Sequence, residues 1–452
     1  MIHLNHIKQL YFIGIGGIGM SALARYFKAK GVYVAGYDRT STDLTKTLEK
    51  EGIQVNYKDE ESLIPETILS NREDSLVVYT PAVPQDHKQF NLLKQKSFEV
   101  IKRAILLGLV TENKKCLAVA GTHGKTTTTA ILGHLLKETG AKVTAFLGGI
   151  SEDIQSNLIM QGDDVIVVEA DEFDRSFLNL SPNIAAITSM DADHLDIYGD
   201  KSELEKSFKE FAAKVPGDGK LFVKNGLPLE AERIGINDDS DYSAQNIEIR
   251  DGSYVFDLQT PSGIIKELKF NLPGKHNLLN AITALAMAIE YGSPTDGLAR
   301  ALYSFRGVKR RFSYKIKTDK LVLIDDYAHH PTEISAVHQA VREMYPNKKV
   351  LAVFQPHLFS RTRDFAEDFA SSLSDFDKVF LLDIYPAREL PIEGISSAWL
   401  LDKISNTEKS LVEKSDLIEK VKAENAQVIV MMGAGDIGEE VEKVKKALLH
   451  EA

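Results

Sequence analysis

A chain of 452 residues with 65 acidic and 54 basic side chains, a net charge of −11, is poorly suited to nucleic acid, because phosphate contacts need clustered lysine and arginine. Hydrophobic residues at 43 % and charged residues at 26 % describe a folded globular protein, and the length leads us to expect about three domains. A single cysteine, Cys116, excludes an intrachain disulfide; the opening residues lack the layout of an export signal and no apolar run reaches the ~18 residues of a membrane span, so a cytoplasmic protein without a membrane partner is expected.

The first segment opens on an apolar strand, Leu10-Tyr11-Phe12-Ile13, followed by the glycine turn Gly14-Ile15-Gly16-Gly17-Ile18-Gly19. A helix from Met20 to Lys30 stops at Gly31, and a second strand from Val32 to Tyr37 ends at Asp38. This is a βαβ unit carrying the G-x-G-x-x-G fingerprint, with its acid about 20 residues on. A helix N-terminus senses only charge, so the motif points to a bound diphosphate and does not separate a nicotinamide dinucleotide from a UDP-sugar. Short strands such as Ser75 to Tyr79 and further helices continue to about Thr111.

The second segment starts with the strand Cys116 to Ala120, where the cysteine reads as an inert core thiol. Gly121-Thr122-His123-Gly124-Lys125-Thr126 follows, then a helix from Thr127 to Thr139 that stops at Gly140. Strand, Gly-Lys-Thr and helix in this order form the working end of a phosphate-binding loop. Lys125 would reach the β and γ phosphates, and the Thr126 hydroxyl would help hold Mg2+. The full pattern needs a glycine where Val119 stands, so this is a shorter variant. Glu169 ends the apolar strand Val165-Ile166-Val167-Val168, and a buried acid there calls for a cation. His194, in Asp191-Ala192-Asp193-His194, reads alone as a capping or salt-bridging residue, and beside a nucleotide loop as a metal or phosphate ligand. Ser240 to Lys269 alternates in the manner of an antiparallel insertion, and a long apolar helix from Asn277 to Tyr291 closes the segment.

The third segment begins after Lys309-Arg310-Arg311. A strand from Leu321 to Ile324 leads into Asp325-Asp326-Tyr327-Ala328-His329-His330-Pro331, the kind of strand end where open α/β sheets bind ligands. Adjacent histidines there point in different directions, which argues against zinc. Strands at Val350 to Phe354, Lys378 to Leu382 and Val428 to Met432 alternate with helices. Arg361 and Arg363, after Phe354-Gln355-Pro356-His357, suit carboxylate or phosphate recognition or, equally, a solvated helix start.

Three stretches, Ile13 to Ala24, Ala120 to Thr129 with His123 inside it, and Asp325 to Ile334, together resemble the Mur ligases of peptidoglycan assembly. The resemblance runs in order over essentially the whole chain. It implies three consecutive α/β domains: a Rossmann-like UDP-sugar domain over residues 1–112, a P-loop ATPase-like domain over 113–309, and a Rossmann-like domain over 310–452 that binds the amino acid. The motifs are most similar to the member of the family that joins L-alanine to UDP-N-acetylmuramate. The activity so implied is ATP-dependent amide-bond formation through an acyl phosphate, with ATP and Mg2+ as cofactors, by a monomer or homodimer.

The resemblance also implies roles for residues. Gly16, Gly17, Gly19 and Asp38 would lie near the sugar nucleotide. Gly121, Thr122, His123, Gly124, Lys125, Thr126 and Thr127 would surround the ATP phosphates. Thr126, Glu169 and His194 would hold magnesium. Asn277 and Asn280 would read the adenine, Arg311 would reach the phosphates, and Asp326 would stand near the nucleotide. Tyr327, His329 and Arg361 would position L-alanine and the reacting carboxylate, with His329 a candidate base. Leu358 stands where the family pattern carries an arginine. The place of the bridging carbamylated lysine of sibling ligases falls near Phe208, between Lys206 and Lys209, and no carbamylated lysine is expected. Three other readings are open: a recycling ligase of the same family that attaches a tripeptide, an NAD-dependent oxidoreductase built on the first glycine turn, and a non-catalytic nucleotide-binding regulator, for which Leu358 is the only support. The oxidoreductase leaves the second turn without a task.

Overall fold

Parallel strands covered on both faces read as unbroken apolar runs, and the chain is built on such runs. The computed structural model describes residues 4–191, 198, 200–250, 252–387, 389–405 and 408–449. Its first sheet holds β1 (Gln9–Ile13), β2 (Tyr33–Tyr37), β3 (Gln54–Asn56), β4 (Ser75–Tyr79) and β5 (Glu99–Lys102), in the order β3-β2-β1-β4-β5 and parallel throughout. Helix α1 (Ile18–Ala29) leaves the glycine turn after β1, and α2 (Arg103–Thr111) follows β5.

The second sheet centres on β6 (Lys115–Ala120), from which α3 (Lys125–Glu138) departs. Around it lie the hairpin β7 (Val143–Ser151) and β8 (Ser156–Met160), then β9 (Val165–Glu169), β10 (Ile184–Ile187), β11 (Lys220–Lys224) and β12 (Glu232–Ile236). The expected antiparallel insertion is three strands, β13 (Tyr242–Arg250), β14 (Ser253–Thr260) and β15 (Gly263–Phe270), which extend one edge. The order is β15-β14-β13-β12-β11-β10-β6-β9-β7-β8. Helix α4 (Lys201–Ala212) precedes β11, and α5 (Lys275–Tyr291) follows β15.

The third sheet holds β16 (Ser313–Lys317), β17 (Val322–Asp326), β18 (Val350–Phe354), β19 (Lys378–Leu381), β20 (Glu408–Leu411) and β21 (Val428–Met432), ordered β16-β17-β21-β18-β19-β20. Only its edge strand β16 runs antiparallel among these pairs. The expected strand at Leu321 to Ile324 extends through Asp325 and Asp326, so both acids are strand residues with buried side chains. Helices α6 (Pro331–Met344) and α7 (Phe359–Asp364) start beyond the ends of β17 and β18.

The chain separates into two compact units. One carries the first two sheets with residues 279–306; the other carries the third sheet with residues 249–254 and 271–278. Two sheets share a unit because one apolar core runs through both, from Leu10, Phe12 and Leu23 to Phe146, Ile166 and Phe177. A polar knot reinforces it. Asn157 on β8 is fully buried and donates to the Ile18 carbonyl (2.6 Å) and Ser21 Oγ (2.9 Å) of α1. Its oxygen accepts from Arg25, whose guanidinium also pairs with Glu51 at 2.8 Å. Every partner in the knot is satisfied, and a buried polar group left without one costs about 1–3 kcal/mol.

Candidate active site

The second glycine turn is shaped by where β6 stops. Val119 is fully buried inside the strand, so the turn begins only at Gly121 and is shorter than the usual phosphate loop. Gly121 (φ +131°) and Gly124 (φ +85°) adopt backbone conformations that favour glycine. A Cβ on Gly121 would overlap the Thr188 hydroxyl, and one on Gly124 would lie 2.5 Å from Asn280 Oδ1. The turn is braced by the end of β10. Ser189 Oγ accepts from the His123 amide (2.7 Å) and meets Thr122 Oγ1 at 2.9 Å, while Thr188 donates to the His123 carbonyl. His123 Nε2 lies 3.7 Å from Asp191, and Thr127 is buried in the first turn of α3.

Thr126 Oγ1 donates to both oxygens of Glu169 at 2.9 and 3.1 Å, bringing together two of the sequence candidates for a metal. A Cβ on Gly148 would overlap the Glu169 carboxylate, so a glycine makes room for it. Lys125 reaches a residue that sequence reasoning passed over. Its ammonium contacts both oxygens of Glu172, at 2.9 and 2.8 Å, and donates to the Gly121 carbonyl at 2.6 Å. Burial pulls the Lys125 ammonium toward neutrality, but Glu172, Asp171 and Glu169 outweigh it and the net shift is upward. The third metal candidate, His194, lies outside the described residues. Phe208, at the place of the siblings' modified lysine, is a core residue edge-on to Phe177, while Lys206 and Lys209 are exposed.

At the first glycine turn, the Gly14 and Ile15 amides donate to the Tyr37 carbonyl, and the Gly16 amide donates to Asp38 at 2.8 Å. Asp38 therefore braces the turn from within. Arg103, at the start of α2, packs against Gly19 and approaches Asp171 at 3.4 Å. A cavity of about 270 Å3 joins these features, bounded by residues 17–20, Arg103, Phe146, Glu169 and Asp171. Cys116 is inert: burial pushes its thiol up to about 12.

Asn277 and Asn280 lie one turn apart on α5, both buried; Asn277 donates to the Pro273 carbonyl at 2.7 Å. In the second unit, Asp326 accepts from the Phe312 amide (2.6 Å) and the Ala328 amide (2.7 Å). Burial raises its carboxyl to about 6, partly opposed by Arg311. The Arg310 and Arg311 guanidinium groups lie over the Tyr327 ring at 5.1 and 5.3 Å. Burial lowers the pKa of His329, whose Nδ1 sits 3.0 Å from the Tyr327 carbonyl and 3.2 Å from Glu333. His330 turns away, accepting from the Thr332 amide at the head of α6 and packing on Phe365. The two histidines thus diverge, as their adjacency implied. His357 faces His329 edge-on and stacks on Tyr385. Leu358 takes φ +71° at the start of α7, a conformation rare for a residue with a side chain, and Arg361 lies within that helix.

Family comparison agrees with this architecture. Residues 9–115 match the family model described as "Mur ligase family, catalytic domain", 119–288 the "Mur ligase middle domain", and 310–435 the "Mur ligase, glutamate ligase domain". The UDP-N-acetylmuramate--L-alanine ligase of Christiangramia forsetii is 83 % identical over 452 residues, all of both chains. The chain belongs to the Mur ligase family. Another Mur ligase, the UDP-N-acetylmuramate--L-alanine ligase of Flavobacterium psychrophilum, is 62 % identical over 99 % of each chain. Among solved structures, the UDP-N-acetylmuramate-alanine ligase of Thermotoga maritima superimposes with a TM-score of 0.84 at 28 % identity, covering 98 % of this chain and 100 % of that one. A murein peptide ligase from Psychrobacter arcticus shares the fold at a TM-score of 0.67 and 20 % identity, over 98 % of both chains. Among the described residues of this Mur ligase, no helix is long and apolar enough to cross a membrane.

Sequence reasoning missed Glu172, Arg103 and Glu333. Glu172 had a readable signal, since it closes a run of three acids, Glu169, Asp171 and Glu172, at the strand end. Glu333 had a local signal too, standing three residues after His330 in the spacing of a helix capping box and four after His329. Arg103 had none, because only the packing of α2 brings it to its partner.

Proposed function

We propose that this Mur ligase joins L-alanine to the lactyl carboxylate of UDP-N-acetylmuramate, converting ATP to ADP and phosphate. The cavity that runs from the first glycine turn to Glu169 carries the reading. A diphosphate at the head of α1 would lay the rest of a sugar nucleotide toward Glu169, Thr126 and Lys125, where a γ-phosphate would sit. This division of labour follows the boundaries 1–112, 113–309 and 310–452, in a small-molecule enzyme of the cytoplasm.

Thr126 and Glu169 fit magnesium. Both present oxygen, the donor that this hard cation prefers, and their side chains already converge. His194 is the third ligand implied by resemblance. Bound magnesium supplies positive charge to the phosphate oxygens. Lys125 adds its own charge there, while the turn from Gly121 to Thr127 holds the triphosphate, and Asn277 and Asn280 meet the adenine. A lactyl carboxylate oxygen attacks the γ-phosphorus and ADP leaves, giving an acyl phosphate. The alanine nitrogen then attacks the carbonyl carbon, and phosphate leaves with the bond to carbon. Tyr327, Arg361 and Arg311 orient the reacting groups. With its proton on Nδ1, shared by the Tyr327 carbonyl and Glu333, His329 keeps Nε2 to accept the amine's proton, and its lowered pKa keeps it neutral for that task.

Phosphate release from ATP and magnesium tests the reading. It should require both UDP-N-acetylmuramate and L-alanine, and give a product heavier by one alanyl residue. Release with a tripeptide in place of alanine would move the activity to a recycling ligase. No release with any acceptor would overturn the ligase reading.

A further inference from the structure

The Lys125 ammonium has three N–H donors. It donates to Glu172 Oε1 and to the Gly121 carbonyl, with Glu172 Oε2 in ion-pair contact at 2.8 Å, so a phosphate must compete with a buried carboxylate for its charge. Glu172 is fully buried and its backbone is tied down: its carbonyl accepts from the Arg175 amide at 2.9 Å and from the Tyr198 hydroxyl. Stability does not call for such a pair, because a buried ion pair is often no better than apolar side chains of the same volume.

We propose that Glu172 is a positioning residue, an internal stand-in for the nucleotide phosphate that holds Lys125 until ATP displaces it. The inference rests on the nucleotide reading above. Once Lys125 turns to the phosphate, a fixed, buried carboxylate is left facing a triphosphate of the same sign. A carboxylate in that position needs a new cation. The Thr126–Glu169 pair, joined to the same loop, is where magnesium would provide one. Glu172 thereby couples the two ligands: ATP without magnesium competes with Glu172 for the lysine and faces its charge, whereas ATP with magnesium brings a cation that offsets that charge.

The test is ATP affinity by calorimetry, in EDTA and in excess magnesium, for the wild type, Glu172→Gln and Glu172→Asp. Glu172→Gln should bind magnesium-free ATP about tenfold tighter than the wild type or more, and the gain from magnesium should shrink by a similar factor. Structural damage would instead weaken binding under both conditions. If the glutamine variant does not fold, Glu172→Asp, whose carboxylate is withdrawn by one methylene, should show the same change at a few-fold. Magnesium-free affinity equal to or weaker than the wild type in the folded variant would overturn the proposal. Failure of the wild type to bind ATP even with magnesium would overturn the nucleotide reading instead.

Discussion

In the turn after β1, an amide is given to Asp38 from the end of β2, and the nearby cation, Arg103, comes from a different helix. In the turn after β6, the cation is Lys125 of the turn itself, and its anion, Glu172, lies just past β9. Both are strand, glycine turn and helix at the end of a parallel sheet. The first holds its shape by internal bonds and leaves its charge on a neighbouring element. The second binds its own charge into a buried ion pair. The same backbone device is therefore braced by an acid in one place and carries a paired cation in the other.

The largest expected effect separates them by ligand. Lys125→Met should lower turnover by about 1000-fold or more, read by phosphate release, and leave sugar-nucleotide affinity by calorimetry within twofold, as roughly expected when one transition-state cation is lost. A parallel loss of sugar-nucleotide affinity would show that the turns are not independent. Next comes backbone strain. Gly121→Ala combines φ +131° with overlap on Thr188 and should cost about 2–4 kcal/mol in urea unfolding. Gly17→Ala, at φ −64° with its nearest neighbour 3.5 Å away, should change stability by less than about 1 kcal/mol. Equal costs would erase the contrast.

A third strand end extends it. Asp326 is buried and raised to about 6, so its proton is held more tightly in the folded state than in the unfolded chain, where a carboxyl titrates near 4. Its contribution is fully present below about pH 4 and is lost as pH rises through 6. Relative to Asp326→Asn, the wild type should lose up to about 3 kcal/mol of unfolding free energy between pH 4 and pH 7. A difference that stays flat across that window would show that the carboxyl is ionised throughout. The smallest effect is expected at Asp38. Asp38→Asn weakens one charge-assisted bond to Gly16 and should raise the sugar-nucleotide Kd by roughly tenfold or less, with ATP affinity unchanged.

Much of this was readable in the chain. Apolar runs ending in glycine or acid marked β1, β6, β9 and β17, because a parallel strand covered on both faces leaves no alternation to misread. Thr126 and Glu169 were foreseen as partners because each stands at the end of its own strand or loop. What stayed hidden depended on distance across the chain. The pairing of Lys125 with Glu172 spans 47 positions and that of Arg25 with Asn157 spans 132, and neither has a periodic signal. Local patterning also ended β17 two residues early, since aspartate is a poor strand former and only pairing with β21, and for Asp325 also with β16, keeps Asp325 and Asp326 in register.

The Asn157 knot has a practical consequence for ligand design. Because α1 is tied to β7 and β8, the first glycine turn and the second belong to one compact unit with a shared core. A linker spanning the cavity from the head of α1 to Glu169 would stay within that unit. Two weak fragments tethered at the right length should therefore gain most of the effective concentration that tethering offers, and a rigid tether should outperform a flexible one.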